Sequence, residues 1–148
     1  MTEQIHLTVA TVVERQGKFL LVREIRDNRE VFNQPTGHVE PGETPVQAAI
    51  RETLEETGWL VQPTALISFS TYTSPQNGVT YYRLAMAAEA VNFDIEATLD
   101  SDIEEAVWLG YEEILQKETQ LRSPMVLQAI RDYLEGQLYP LDILKTPR

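Results

Sequence analysis

The chain has 148 residues, 23 of them acidic and 12 basic, for a net charge of −11. That length suits one domain with one sizeable core, and the 43% hydrophobic and 24% charged content is ordinary for a globular protein. The acidic balance argues against binding long nucleic acids, the lack of cysteine excludes disulfide and thiol chemistry, and no apolar run approaches the roughly 20 residues of a membrane span.

The N-terminus, Met1 to His6, has no basic region followed by an apolar stretch. No signal peptide is visible, so a cytoplasmic location is expected. His6 to Val13 alternates and is rich in β-branched residues, which predicts a strand. Arg15-Gln16-Gly17-Lys18 reads as a turn and Phe19 to Arg23 as the returning strand of a hairpin. Asp27 to Glu30 reads as a polar loop, and Val31 to Gln34 as a short approach to Pro35.

The next segment carries the most chemistry. Gly37-His38-Val39-Glu40-Pro41-Gly42-Glu43 leads into Arg51-Glu52-Thr53-Leu54-Glu55-Glu56-Thr57-Gly58-Trp59. Thr44 is a good N-cap, Pro45 suits the first helical position, and Gln47 completes a capping box. Gly58 is the expected left-handed residue past the helix end, which predicts a helix over 45–57. At about 100° per residue, Glu52, Glu55 and Glu56 share one face. Val46, Ile50, Leu54 and Thr57 share the opposite face, with Thr53 at its edge. Like charges at these spacings repel by a few tenths of a kcal/mol per pair, roughly. Only Arg51 is near enough in sequence to offset them, so the cluster calls for cations. Carboxylate oxygens are the usual ligands of Mg²⁺, which phosphate oxygens of a substrate complete.

Pro63 marks a break, and Ala65 to Tyr72 reads as a strand. Residues 73–78 form a loop with Asn-Gly turn chemistry, and Val79 to Ala88 is the next strand. Thr98 to Glu104 is acidic and loop-like, Ala106 to Leu109 a short strand, and Tyr111 to Gln116 a short helix. Ser123-Pro124 caps a second long helix over about 124–136, and the tail from Tyr139 to Arg148 reads as irregular chain. Strands mixed with two main helices imply one α/β domain over 1–148, an α/β/α sandwich around a mixed sheet.

The helix and its loop match the Nudix box: Gly, five residues, Glu, seven residues, Arg-Glu, an aliphatic residue, any residue, Glu-Glu, any residue, Gly, an aliphatic residue. Every fixed Gly, Glu and Arg agrees, while Thr53 and Trp59 stand where aliphatic residues are usual. The chain thus resembles the Nudix hydrolase superfamily over essentially its whole length. The stretches Phe32 to His38, Leu121 to Val126, Gln137 to Leu141 and Asp100 to Ile103 are similar to the bacterial NudJ phosphatase subgroup.

That resemblance implies a hydrolase of phosphoanhydride bonds, dependent on Mg²⁺ (or Mn²⁺), acting on nucleoside tri- and diphosphates with release of phosphate. It also implies activity on the pyrophosphate of hydroxymethylpyrimidine. The small phosphorylated substrate would be the partner of a monomer or a homodimer, with no long nucleic acid and no membrane. By the same resemblance, Glu52, Glu55 and Glu56 bind metal with the carbonyl of Gly37, and Glu52 positions or deprotonates the attacking water. Arg51 pairs with Glu43 to brace the loop. A further metal ligand or base comes from the loop before Trp108, with Glu104 as first choice and Glu105 and Asp102 behind it. Arg23, His38, Arg83 and Arg122 are the candidate substrate contacts. Two alternatives stay open: a Nudix pyrophosphatase specific for ADP-ribose or an oxidised purine nucleotide, and a non-catalytic sensor domain that binds a nucleotide.

Overall fold

The computed structural model describes residues 4–147. The first hairpin is formed by β1 (Ile5–Arg15) and β2 (Lys18–Arg26), and a second tight turn leads to β3 (Arg29–Asn33). Both turns, Gln16-Gly17 and Asp27-Asn28, hold their two central residues at positive φ, as right-twisted two-residue hairpins require. The polar loop expected over 27–30 is therefore shorter, because Arg29 and Glu30 already pair with Arg26 and Ile25.

A short β4 (Thr36–His38) precedes α1 (Pro45–Thr57), then come β5 (Trp59–Thr73), β6 (Thr80–Phe93), β7 (Glu105–Gly110), α2 (Tyr111–Gln116) and α3 (Pro124–Leu134). The sheet runs β3-β2-β1-β6-β5, with β4 paired to β1 and β7 to β2. β1 and β6 are parallel and the other pairs antiparallel, so the sheet is mixed as expected.

Alternation along β6 places the helices. Leu84 and Met86 pack with Val9 and with Ala48 and Ala49 of α1. Ala85 and Ala87 pack with Val12 and Ile67 and with Leu127, Ala129 and Ile130 of α3. Successive strand side chains point to opposite faces, so α1 and α3 cover opposite sides of the sheet. Among the described residues no helix is long and apolar enough to cross a membrane.

Three expectations are corrected. β5 does not break at Pro63 but runs from Trp59, with register shifts around Pro63/Ala65. β5 is an edge strand, where a missing N–H is tolerated and a bulge absorbs the irregularity. β6 continues past Ala88 to Phe93, held by the Trp59 and Phe93 pairing. The tail is less irregular than expected: Tyr139 exchanges backbone hydrogen bonds with Leu66 at 2.8 and 2.7 Å, and Leu141–Ile143 forms a 3₁₀ turn.

The helix α1 has the predicted ends. The Thr44 side chain accepts from Gln47 N–H, the Gln47 side chain accepts from Thr44 N–H, and Gly58 is left-handed at φ 79. Its buried face differs from the helical wheel. Ala48, Ala49, Thr53, Glu56 and Thr57 are buried, whereas Val46, Ile50 and Leu54 are only half-buried. Thr53, at 0% exposure, lies at the centre of that face rather than its edge. Its hydroxyl donates to Ala49 O at 2.7 Å, which spends its one proton. Thr11, equally buried, must therefore donate in the 2.9 Å contact between the two hydroxyls.

Thr53→Val should accordingly strand the Thr11 hydroxyl and destabilise the fold by about 1–3 kcal/mol. The double variant Thr11→Val/Thr53→Val should be more stable than Thr53→Val alone, as read from urea unfolding midpoints.

Candidate active site

The site is lined by residues of β1, β2, β4, β6 and α1, of the loop before β7 and of the segment that leads into α3. Arg51 organises its acidic side. Its Nε and Nη2 donate to both oxygens of Glu43 at 2.7 and 2.9 Å, and Nη2 also donates to the His38 carbonyl at 3.1 Å. Its Nη1 donates to Glu52 at 2.8 Å and to Glu55 at 3.3 Å. Glu43 in turn accepts the Glu40 N–H at 3.0 Å. The expected Glu43 and Arg51 pair is thus present as a two-pronged bridge. The Arg51 hydrogen bonds hold the Glu43 carboxyl far below its usual range, at about 2, against the opposing effect of burial. The same bonds raise Arg51 above its ordinary value.

Glu52 rests against β4. A Cβ on Gly37 would collide with the Glu52 carboxylate, so only a glycine leaves that carboxylate its place. Burial raises the Glu52 pKa, with Arg51 opposing. Glu56 points inward and accepts the Thr36 N–H at 2.8 Å. Burial drives its pKa up to about 8, the Thr36 hydrogen bond opposes, and the nearby Glu52, Glu24 and Asp100 add to the rise.

Oxygens of Glu52, Glu55 and Asp100 all lie within 4.8 Å of one another. Asp100 arrives there because its N–H bonds to the Glu55 carbonyl at 3.0 Å, tying the acidic loop to the last turn of α1. Three hard oxygen donors, crowded together at a cost in repulsion and set beside a glycine-made space, fit a divalent cation of the Mg²⁺ type. Glu104 is not in this group. It is exposed, and its N–H bonds to Arg23 O at 2.8 Å, where β7 begins to pair with β2.

A cavity of about 280 Å³ opens beside the cluster, with Gly37, Glu56, Asp100 and Asp102 on its acidic side. His38, Arg83 and Arg122 also line it, whereas Arg23 does not. Arg23 instead bridges Glu105 at 2.9 Å and Glu30 at 3.5 Å. Arg83 is 3% exposed and paired across the parallel ladder with Thr8. Its Nη2 reaches Asn33 Oδ1 at a long 3.5 Å, and among the described residues its Nη1 has no partner. Burial lowers its pKa to about 10, with Glu56 opposing, so it remains charged at neutral pH. A buried guanidinium with unspent donors is costly until an anion meets it.

His38 Nε2 lies 3.0 Å from His6 Nδ1, and His6 stacks edge-on with Tyr81. Burial, and then the His6 charge, lower the His38 pKa. Tyr72 and Tyr81 pair across β5 and β6 and line the cavity beside Asn77. Sequence reasoning did not single out Asp100, Glu24 or Arg26 for the site. Asp100 lay within a stretch noted only for its resemblance, and the other two gave no local signal.

A NUDIX domain model matches residues 4–129. Phosphatase NudJ of Escherichia coli K12 is 42% identical over 139 residues, covering 94% of this chain and 90% of that protein, and the Shigella flexneri protein of the same name matches equally. A NUDIX hydrolase structure from Nitrosomonas europaea superposes with a TM-score of 0.94 at 43% identity, over 97% of this chain and 98% of the other. A UDP-X diphosphatase shares the fold at a TM-score of 0.73 and 14% identity, over 95% of this chain and 68% of that one.

Replacing Glu43 with Gln tests the brace through pH. A carboxyl held near 2 in the folded state contributes stability above its ordinary pKa of 4.5 and loses it as pH falls toward 2. In EDTA, the stability gap between the native chain and Glu43→Gln should be constant from pH 7 to about 5 and shrink below that. Thermal melts across that range measure it; a gap that widens on acidification would contradict the assignment.

Proposed function

The chain belongs to the NUDIX family of hydrolases, and from that premise we propose that it is a divalent-cation-dependent phosphohydrolase of nucleoside tri- and diphosphates. The observation that carries this reading is the joining of two features in one site. Glu52, Glu55 and Asp100 converge within 4.8 Å, and the adjoining cavity contains the buried Arg83 guanidinium, whose Nη1 has no partner among the described residues. Carboxylates suit a cation, and a cation together with a buried arginine suits a phosphate chain. Resemblance to Phosphatase NudJ supports phosphate release, and hydroxymethylpyrimidine pyrophosphate belongs in the substrate panel for the same reason.

Glu52, Glu55 and Asp100 would hold Mg²⁺, with the Gly37 carbonyl and Glu56 at the inner side. The bound cation supplies acidification of water and neutralisation of phosphate oxygens. The chain's own groups do the rest. A Glu52 oxygen orients the attacking water and takes its proton. Arg51 keeps Glu52 and Glu55 in place through Nη1 without competing for the face turned to substrate. Arg83 meets the phosphate charge from the buried side, where low dielectric strengthens the contact. Tyr72 and Tyr81 offer faces for a base. Positioning and charge neutralisation of this kind suffice for phosphoryl transfer to water without a covalent intermediate. Glu104 is exposed and lies outside the cluster of Glu52, Glu55 and Asp100.

Two measurements test the reading. With Mg²⁺ the chain should release orthophosphate from both GTP and GDP; cleavage confined to ADP-ribose, yielding AMP, would contradict it. Glu55→Gln should lower kcat by about a hundredfold or more. Without metal its stability should stay within about 0.5 kcal/mol of the native chain, since Glu55 is half-exposed, while the rise in Tm on adding Mg²⁺ should largely vanish.

A further inference from the structure

The cavity wall carries a further charged group that catalysis at Glu52 and Glu55 does not use. Glu24 of β2 is 5% exposed, yet two guanidinium groups share its carboxylate. Arg26 donates to both oxygens, from Nε at 3.4 Å and Nη2 at 3.3 Å. Arg122 approaches the same carboxylate through Nη1 at 3.7 Å, and its backbone is pinned by a 2.8 Å hydrogen bond to Phe32 O. Among the described residues, neither guanidinium has another side-chain partner. One carboxylate against two arginines leaves one positive charge uncompensated. Each guanidinium also keeps donors unspent out of its five.

Arg26 and Arg122 line the same cavity as Gly37, Glu56 and Asp100. Both also line a second cavity, about 460 Å³, that continues outward past Arg29. In a chain of net charge −11, this gathering of cations offsets the carboxylates that line the cavity. A diphosphate can be served wholly at the metal end. A third phosphate must lie further along the cavity, and it adds negative charge where the carboxylates would repel it.

We propose that Arg26 and Arg122, held by their shared Glu24 carboxylate, form a subsite for a phosphate beyond the two at the metal end, and so set the preference for triphosphates over diphosphates. Glu24 acts as a positioning residue: it fixes both side chains at the cavity wall while neutralising only one of them. This rests on the phosphohydrolase reading above.

The test measures binding of pyrophosphate and of tripolyphosphate to the full chain in Mg²⁺ by calorimetry, alongside kcat/KM for GDP and GTP. The native chain should bind tripolyphosphate more tightly. Arg26→Gln and Arg122→Gln should each cut that preference by about fivefold or more, and the double variant should abolish it. The GTP-to-GDP ratio of kcat/KM should fall in parallel. A native chain without the preference, or variants that retain it, would overturn the proposal. Should a glutamine variant fail to fold by circular dichroism, Arg26→Lys and Arg122→Lys carry the test. They keep the charge but lose the fork, so a partial loss supports the subsite and an unchanged preference overturns it. Failure of the hydrolase reading shows separately, as no turnover of either nucleotide by the native chain.

Discussion

A single guanidinium decides whether this fold can hold its carboxylates. Arg51 makes five side-chain or backbone contacts within hydrogen-bond distance, to Glu43 twice, to Glu52, to Glu55 and to the His38 carbonyl. Without it, Glu52 would stand one turn from Glu55 and from the inward-facing Glu56 on α1 with no cation of the chain between their charges. With it, repulsion is offset on one flank and left unrelieved on the other, toward Asp100. That flank is where a cation gains most. The loop 38–43 is fixed by the same contacts, so the strand, the loop and the helix form one rigid mount for the chemistry.

The rest of the site balances charge around this mount. Glu56 is pushed toward the neutral form by burial, while Arg83 stays charged with a donor unspent. Glu24 anchors Arg26 and Arg122 at the cavity wall. The overall charge of −11 therefore says little about the cavity, where three arginines stand among the carboxylates. An acidic protein can take an acidic substrate when the nearest charges are a metal and three arginines.

Much of this was legible in the sequence where the signal is local. Thr44, Pro45, Gln47 and Gly58 specify the ends of α1 through contacts within a few residues, and the structure has those ends. Glu43 and Arg51 are eight apart, close enough for the box spacing to imply their pairing. The illegible parts depend on tertiary neighbours. Pro63 reads as a breaker until β5 is known to be an edge strand. Thr53 reads as marginal on a wheel until Thr11 of β1 is set against it. Asp100 rather than Glu104 reaches the carboxylates because a backbone hydrogen bond to Glu55 turns the loop inward, and no spacing rule encodes that bond. Arg26 and Arg122 are 96 positions apart (122 − 26), so only the fold reveals that they share Glu24.

The carboxylates mounted on Arg51 should hold a divalent cation together with Asp100. Anomalous diffraction from crystals of the chain grown with Mn²⁺ tests it most directly. An anomalous peak should appear bonded to oxygens of Glu52, Glu55 and Asp100 at about 2.0–2.4 Å. A peak held instead by Glu104, or no peak at this cluster at saturating Mn²⁺, would contradict it.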